Sequence, residues 1–125
     1  MENKRYSIGL DMLSQVDGDA GHKVIDSLKD ICPDLGDFVI KSFGDVYSRS
    51  ELTLKEREIA TVAALTVLGN CQPQLKVHIS AALNVGCTEQ QLKEIMIQMS
   101  LYAGFPAALN GMFALKDVLN SNHEK

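Results

Sequence analysis

The chain has 125 residues, 46% hydrophobic and 22% charged, a size and balance that suit one domain able to bury a core without disulfide or metal staples. Its net charge of −4 and scattered basic residues (Lys4, Arg5, Lys55, Arg57, Lys76, Lys93, Lys116) offer no patch for nucleic acid or an anionic membrane. Residues 1–8 (MENKRYSI) are polar, Thr61, Thr66, Asn70 and Gln72 interrupt the apolar run from Ile59 to Leu75, and Cys32, Cys71 and Cys87 form no CxxC pair. These features set the expectation of a cytoplasmic chain with neither secretory leader nor bilayer span.

Helical periodicity dominates, and strand alternation is nearly absent. A first helix is expected over Arg5 to Val16, ending in the breaker run Asp17-Gly18-Asp19, and a second over His22 to Ile31, stopping before Pro33. Pro33 suits the first turn of a third helix reaching Tyr47. Thr53-Leu54-Lys55-Glu56 reads as a capping box, the hydroxyl and the carboxylate each meeting a free backbone N–H, and opens a fourth helix. Its continuation, Ile59 to Leu68, is apolar nearly all round, as in a helix that is central to a core or covered by another subunit. A fifth helix opens at Pro73 and closes at Gly86, which can take the left-handed C-cap conformation. Thr88-Glu89-Gln90-Gln91 is a second capping box for a sixth helix to Tyr102. Gly104-Phe105-Pro106 breaks it, and a last helix runs from Pro106 to about Asn120, before a polar, frayed tail. The reading is all-α, six or seven helices in a single domain over 1–125, with its core at about 5–118. Four largely apolar helices, and the small residues Ala107, Ala108, Gly111 and Ala114 on the last, point to a homo-oligomer joined through the fourth helix and the face around Gly111. Leu92, Ile95, Met96 and Met99 form another apolar stripe, suited to core or interface.

Few residues offer chemistry. Leu75, His78, Ile79 and Ala82 follow i, i+3, i+4, i+7 spacing, so His78 lies on the buried stripe of the fifth helix. It is either a core histidine bonded to a carbonyl or an acid-base group. Glu58 shares a stripe with Val62 and Leu65, where a carboxylate needs a partner; Arg57 next door offers a purely structural ion pair. Cys71 stands just ahead of the fifth helix, where backbone dipoles lower a thiol's pKa, or it is an inert buried thiol. His22, His78 and His123 are dispersed, so no metal is expected. No phosphate loop or dinucleotide fingerprint appears, so no organic cofactor is expected either.

The order of four segments is recognisable: Phe43-Gly44-Asp45-Val46-Tyr47, LTLKERE (52–58), QLKVHISAALNVGCTEQQLKEIMIQ (74–98) and YAGFPAALN (102–110). Together they resemble the carboxymuconolactone decarboxylase family, on the side of its γ-carboxymuconolactone decarboxylase branch, over roughly residues 5–118. The resemblance implies the family's all-helical, alkyl hydroperoxide reductase D-like fold and homo-oligomers, commonly hexamers built as trimers of dimers. A second branch uses C-x-x-C-x-x-x-H with an upstream glutamate as a thiol relay. Cys71 and His78 match its first cysteine and its histidine, but Gln74 replaces the second cysteine.

The resemblance therefore implies cofactor-free decarboxylation of a small-molecule lactone, 4-carboxymuconolactone to 3-oxoadipate enol-lactone in aromatic-acid breakdown. His78 is then the general acid, with Glu58 orienting it. Arg57 is the candidate for gripping a substrate carboxylate, and Tyr102 for lining the pocket. Two other readings stay open: a peroxide reductase using Cys71 with an external thiol, and an oligomeric binding protein, or a family member of unassigned substrate, on the same scaffold.

Overall fold

The computed structural model describes the backbone of residues 2–123 and the side chains of 4–122. Seven α-helices and no strand occur among the described residues, in agreement with the all-α expectation. The chain divides into two compact units, Met1–Leu54 and Lys55–Lys125.

The first unit holds α1 (Glu2–Asp17), α2 (Asp19–Ser27) and α3 (Pro33–Tyr47). The anticipated three-residue breaker after α1 is a single-residue corner. Gly18, at φ +60°, turns the chain in a region costly for other residues, and α2 starts at once at Asp19 instead of His22. The helix also ends early. Lys29 N–H bonds to Asp26 O (3.2 Å) and Ile31 N–H to Leu28 O (3.1 Å), tight turns that replace the helical ladder before Pro33. Cys32 is extended (φ −158°, ψ 83°), as a residue before proline prefers. α1 packs on α3 at a glycine crossing: a Cβ on Gly9 would fall on the Ile40 carbonyl, and one on Gly44 would lie 2.6 Å from Gly9 Cα. Leu13, Val16 and Ile40 fill the small interior. The Arg5 guanidinium ties α1 to α3 through Asp45 (2.6 and 3.2 Å), and the rings of Phe43 and Tyr47 stack at 4.0 Å.

The second unit holds α4 (Leu54–Leu68), α5 (Gln72–Asn84), α6 (Glu89–Ala103) and α7 (Phe105–His123). Its core gathers Val62, Leu75, Ile79, Ala82, Leu92 and Met96 with residues of α7, which packs on α5 and α6. α4 buries one stripe, Glu58, Val62 and Thr66, and leaves Ala60, Ala64, Val67 and Leu68 exposed. At the head of α6 the capping box is formed as expected: Gln91 N–H donates to Thr88 Oγ1 (3.0 Å) and Thr88 N–H to Gln91 Oε1 (2.9 Å).

Two expectations are corrected here. The small-residue face around Gly111 is not an outer surface. Gly111 is buried inside its own chain, where a Cβ would stand 2.5 Å from Met96 Sδ and 3.1 Å from Thr66 Cγ2. Its smallness lets α4, α6 and α7 converge, and Thr66 Oγ1 contacts Met96 Sδ at 3.5 Å. The frayed tail from Asn120 is also revised, because α7 continues to His123; Glu124 and Lys125, like Met1, lie outside the described residues. No described helix is long and apolar enough to cross a membrane.

Candidate active site

The site begins with two helix starts. Leu54 opens α4 directly after Thr53, which puts Glu58 one turn into the helix on its buried stripe. Pro73 sits in the first turn of α5, and Cys71 is the residue before the helix (φ −118°, ψ 38°). Leu75 N–H then bonds to Cys71 O at 2.7 Å, and the ladder carries His78 into line with buried Leu75, Ile79 and Ala82.

These two stripes meet at one polar contact. His78 Nδ1 lies 2.9 Å from Glu58 Oε2, the carboxylate side chain fully buried and the imidazole 19% exposed. His78 is thus bonded to a carboxylate, not simply to a backbone carbonyl, and Glu58 has its partner on another helix. If the carboxylate is ionised it only accepts, and Nδ1–H is then the donor of this bond. A carboxylate buried this deeply is tolerable only because it is bonded. The arrangement holds an imidazole in one tautomer and one orientation, which is what proton delivery to a bound molecule requires.

The other expected residues are placed differently. Arg57 is half-buried, and its backbone carbonyl accepts from Thr61 Oγ1 (2.9 Å). Cys71 is half-buried, and its thiol donates to Asn70 Oδ1 (3.3 Å), not to His78. Gln74, where a second cysteine would stand, is exposed. Tyr102 is 74% exposed near the end of α6, with no hydrogen bond among the described residues. Its neighbours in exposure are Ile97, Leu101, Phe105, Leu109 and Phe113 of α6 and α7. A groove of about 280 Å³ lies among Met96, Ile97, Ser100, Phe105, Ala108, Leu109 and Met112. No group of three metal-binding side chains occurs among the described residues.

One residue near the pair, Cys87, escapes a reading of the sequence. α5 ends in a two-bond C-terminal turn: Cys87 N–H reaches Ala82 O (2.9 Å) and Gly86 N–H reaches Leu83 O (3.3 Å), with Gly86 at φ +108°. The turn drives Cys87 inward, 5% exposed, to the neighbourhood of Glu58 and Lys55. Burial pushes the Cys87 thiol up, the Lys55 ammonium pulls it back, and the Glu58 carboxylate pushes it further up. The signal for this was present in Gly86 and its C-cap role; what it aimed inward was not.

Residues 33–117 match the model of the carboxymuconolactone decarboxylase family. Among curated proteins, the chain is similar to 4-carboxymuconolactone decarboxylase of Acinetobacter baylyi, 33% identical over 119 residues that cover 94% of this chain and 88% of that one. It is also similar to nitrosuccinic acid decarboxylase of Metarhizium robertsii, 26% identical over 67% of this chain and 58% of that one. An uncharacterized 15.0 kDa protein of Paracoccus denitrificans is 32% identical over 66% of this chain and 63% of its own.

Proposed function

Since the chain belongs to the carboxymuconolactone decarboxylase family, we propose that it removes CO2 from a 4-carboxymuconolactone-type lactone, with His78 delivering the proton. Relatives named as decarboxylases support a carboxy-lyase kind of activity. The two named acids share a chemical logic. In each, a nearby acceptor, a lactone carbonyl or a nitro group, can take the electron pair left behind.

In the lactone, the bond between a ring carbon and the departing carboxylate breaks. Its electron pair moves through the alkene into the lactone carbonyl, giving a dienolate. A proton then joins carbon, and the enol-lactone results. The substrate is its own electron sink, so the protein's tasks are to orient it, to stabilise charge growing on the carbonyl oxygen and to supply the proton. His78 serves the last two through Nε2, and Glu58 is the positioning residue that fixes its tautomer through Nδ1. The Arg57 guanidinium meets a substrate carboxylate with its two-pronged fork.

The observation that carries this reading is the 2.9 Å bond between a mostly buried histidine and a fully buried glutamate. Purified protein given 4-carboxymuconolactone should release CO2 and form the enol-lactone. His78→Gln should retain binding better than rate, because an amide donates a hydrogen bond but cannot protonate carbon. Failure of the wild-type protein to release CO2 from this lactone would refute the assignment.

The assembly belongs to the same reading. The exposed apolar row on α6 and α7 supports a homo-oligomer, with that row, in place of the buried Gly111 face, at the contact between copies. Light scattering at micromolar concentration should return a multiple of the 13.7 kDa chain, and a monomer would overturn it.

A further inference from the structure

The seam between α6 and α7 carries two grooves, and neither is lined by His78 or Glu58. The first, described above, has apolar walls that include Ile97, Phe105, Leu109 and Met112. The second, of about 260 Å³, has a floor of Met112, Leu115 and Leu119, with Glu89, Lys93, Lys116 and Asn120 around it. Met112 lines both, so the grooves meet at its side chain. Ser100 shares a groove with Phe105, and Lys93 shares one with Lys116, as in two helices running in opposite directions from the Gly104 corner. The stretch of α6 from Ser100 back to Glu89 is roughly 16 Å long. Joined, the two grooves reach the size of ordinary ligand clefts, about 300–1,000 Å³.

The two ends of this channel differ in chemistry. At the Phe105 end Ser100 is the only polar side chain among the described lining residues, and its hydroxyl already donates to Ile97 O at 2.6 Å. That end offers a ligand no unmet donor. At the other end Glu89 pairs with Lys93 at 3.1 Å, which cancels one cation and leaves Lys116 over. Asp117, next to it in sequence, is engaged with Lys76 of α5 at 3.0 Å. Neither Lys116 nor Asn120 bonds to another described residue. Glu89 is also the first residue of α6, so the positive end of the helix dipole adds to the ammonium here. Water satisfies an exposed lysine on an ordinary surface. One set beside three apolar side chains, at the mouth of an apolar channel, offers a ligand a head site and a tail site together.

We propose that the α6–α7 seam binds an aliphatic monocarboxylate. Lys116 and Asn120 hold its carboxylate, and its chain lies over Met112 toward Leu109 and Phe105. The site is separate from the His78–Glu58 pair and does not depend on the decarboxylase reading. The lining selects the class. A second acid group would meet an end with a single uncompensated cation, an amine would be repelled by Lys116, and a neutral chain would leave the ammonium unmatched. The chain adds affinity in proportion to the apolar area it covers, so length matters as well as charge.

The test titrates octanoate, octanol and octylamine into the full-length protein by calorimetry. Octanoate should bind with a stoichiometry near one per chain and at least about fivefold more tightly than the other two, a preference sized for a charge contact that stays partly in water. Butanoate, too short to pass Met112, should bind the unaltered protein at least about tenfold more weakly than octanoate. Lys116→Gln should lose most of the preference for the acid, and Lys116→Arg should keep it. Ala108→Leu fills the tail end without touching the charges and should weaken octanoate and octanol alike. Equal affinity for the three probes, indifference to chain length, or a Lys116→Gln variant that keeps the preference overturns the proposal. So does an absence of binding, including one that arises because a second copy covers the seam.

Discussion

The unit of α1 to α3 and the unit of α4 to α7 place their histidines in opposite settings. In the first, His22 Nε2 meets Ser14 Oγ at 2.8 Å near the surface, and Arg5 meets Asp45 with both side chains about half exposed. In the second, His78 meets a glutamate that solvent does not reach. Water can replace a surface partner at little cost, so a Ser–His or Arg–Asp contact there fastens helices without constraining chemistry. A buried carboxylate has no such substitute, and a fold that keeps one in its core depends on the partner that satisfies it. Depth, more than the identity of the paired residues, separates the two histidines.

The comparison breaks most sharply on turnover. His78→Ala should lower it by the general-acid range, ~10²–10⁴-fold, and should also lower the melting temperature because Glu58 stays buried without this partner, whereas His22→Ala should leave turnover untouched. Equal losses in the two variants would erase the distinction. Next in size is packing. Gly9→Ala sets a methyl against the Ile40 backbone, which cannot give way as a side chain can, so it should cost at least ~3 kcal/mol and open the α1–α3 crossing. Gly111→Ala presses on the side chains of Met96 and Thr66 instead of on backbone and should cost ~1–3 kcal/mol by denaturant unfolding.

A smaller effect is expected at Cys71. Its thiol bonds to Asn70 and not to His78, so Cys71→Ser should change turnover by less than about threefold; a loss beyond tenfold would restore a thiol-based mechanism. The smallest concerns Asp45. Its hydrogen bond from Arg5 holds the carboxyl below its ordinary value, so the contact stabilises the fold above about pH 4 and fades as pH falls further. Asp45→Asn should therefore melt slightly below wild type at pH 7, with the gap closing in acid.

Local signals in the sequence were readable because they act locally. Pro33 starts α3 and Thr88 caps α6 through atoms no more than three residues apart. The length of α2 was misjudged because Gly18 compresses the corner before it and short turns, not helix, lead to Pro33. His78 and Glu58 were each visible as buried polar residues, but their bond depends on how α4 and α5 pack, which no periodicity states. Gly111 shows the same limit in reverse: a stripe of small residues says that something approaches closely, not whether it is a neighbouring chain or Met96 of the same one.

The turn at Gly86 also gives the protein an internal clock. By sealing Cys87 at 5% exposure and keeping its thiol protonated, it leaves that sulfur two barriers from any alkylating reagent, while Cys32 and Cys71 are more open to solvent. Labelling of Cys87 then waits on local opening of the helix ends around Glu58. Its rate, set against that of an unprotected thiol, measures how often this part of the core opens in the native state.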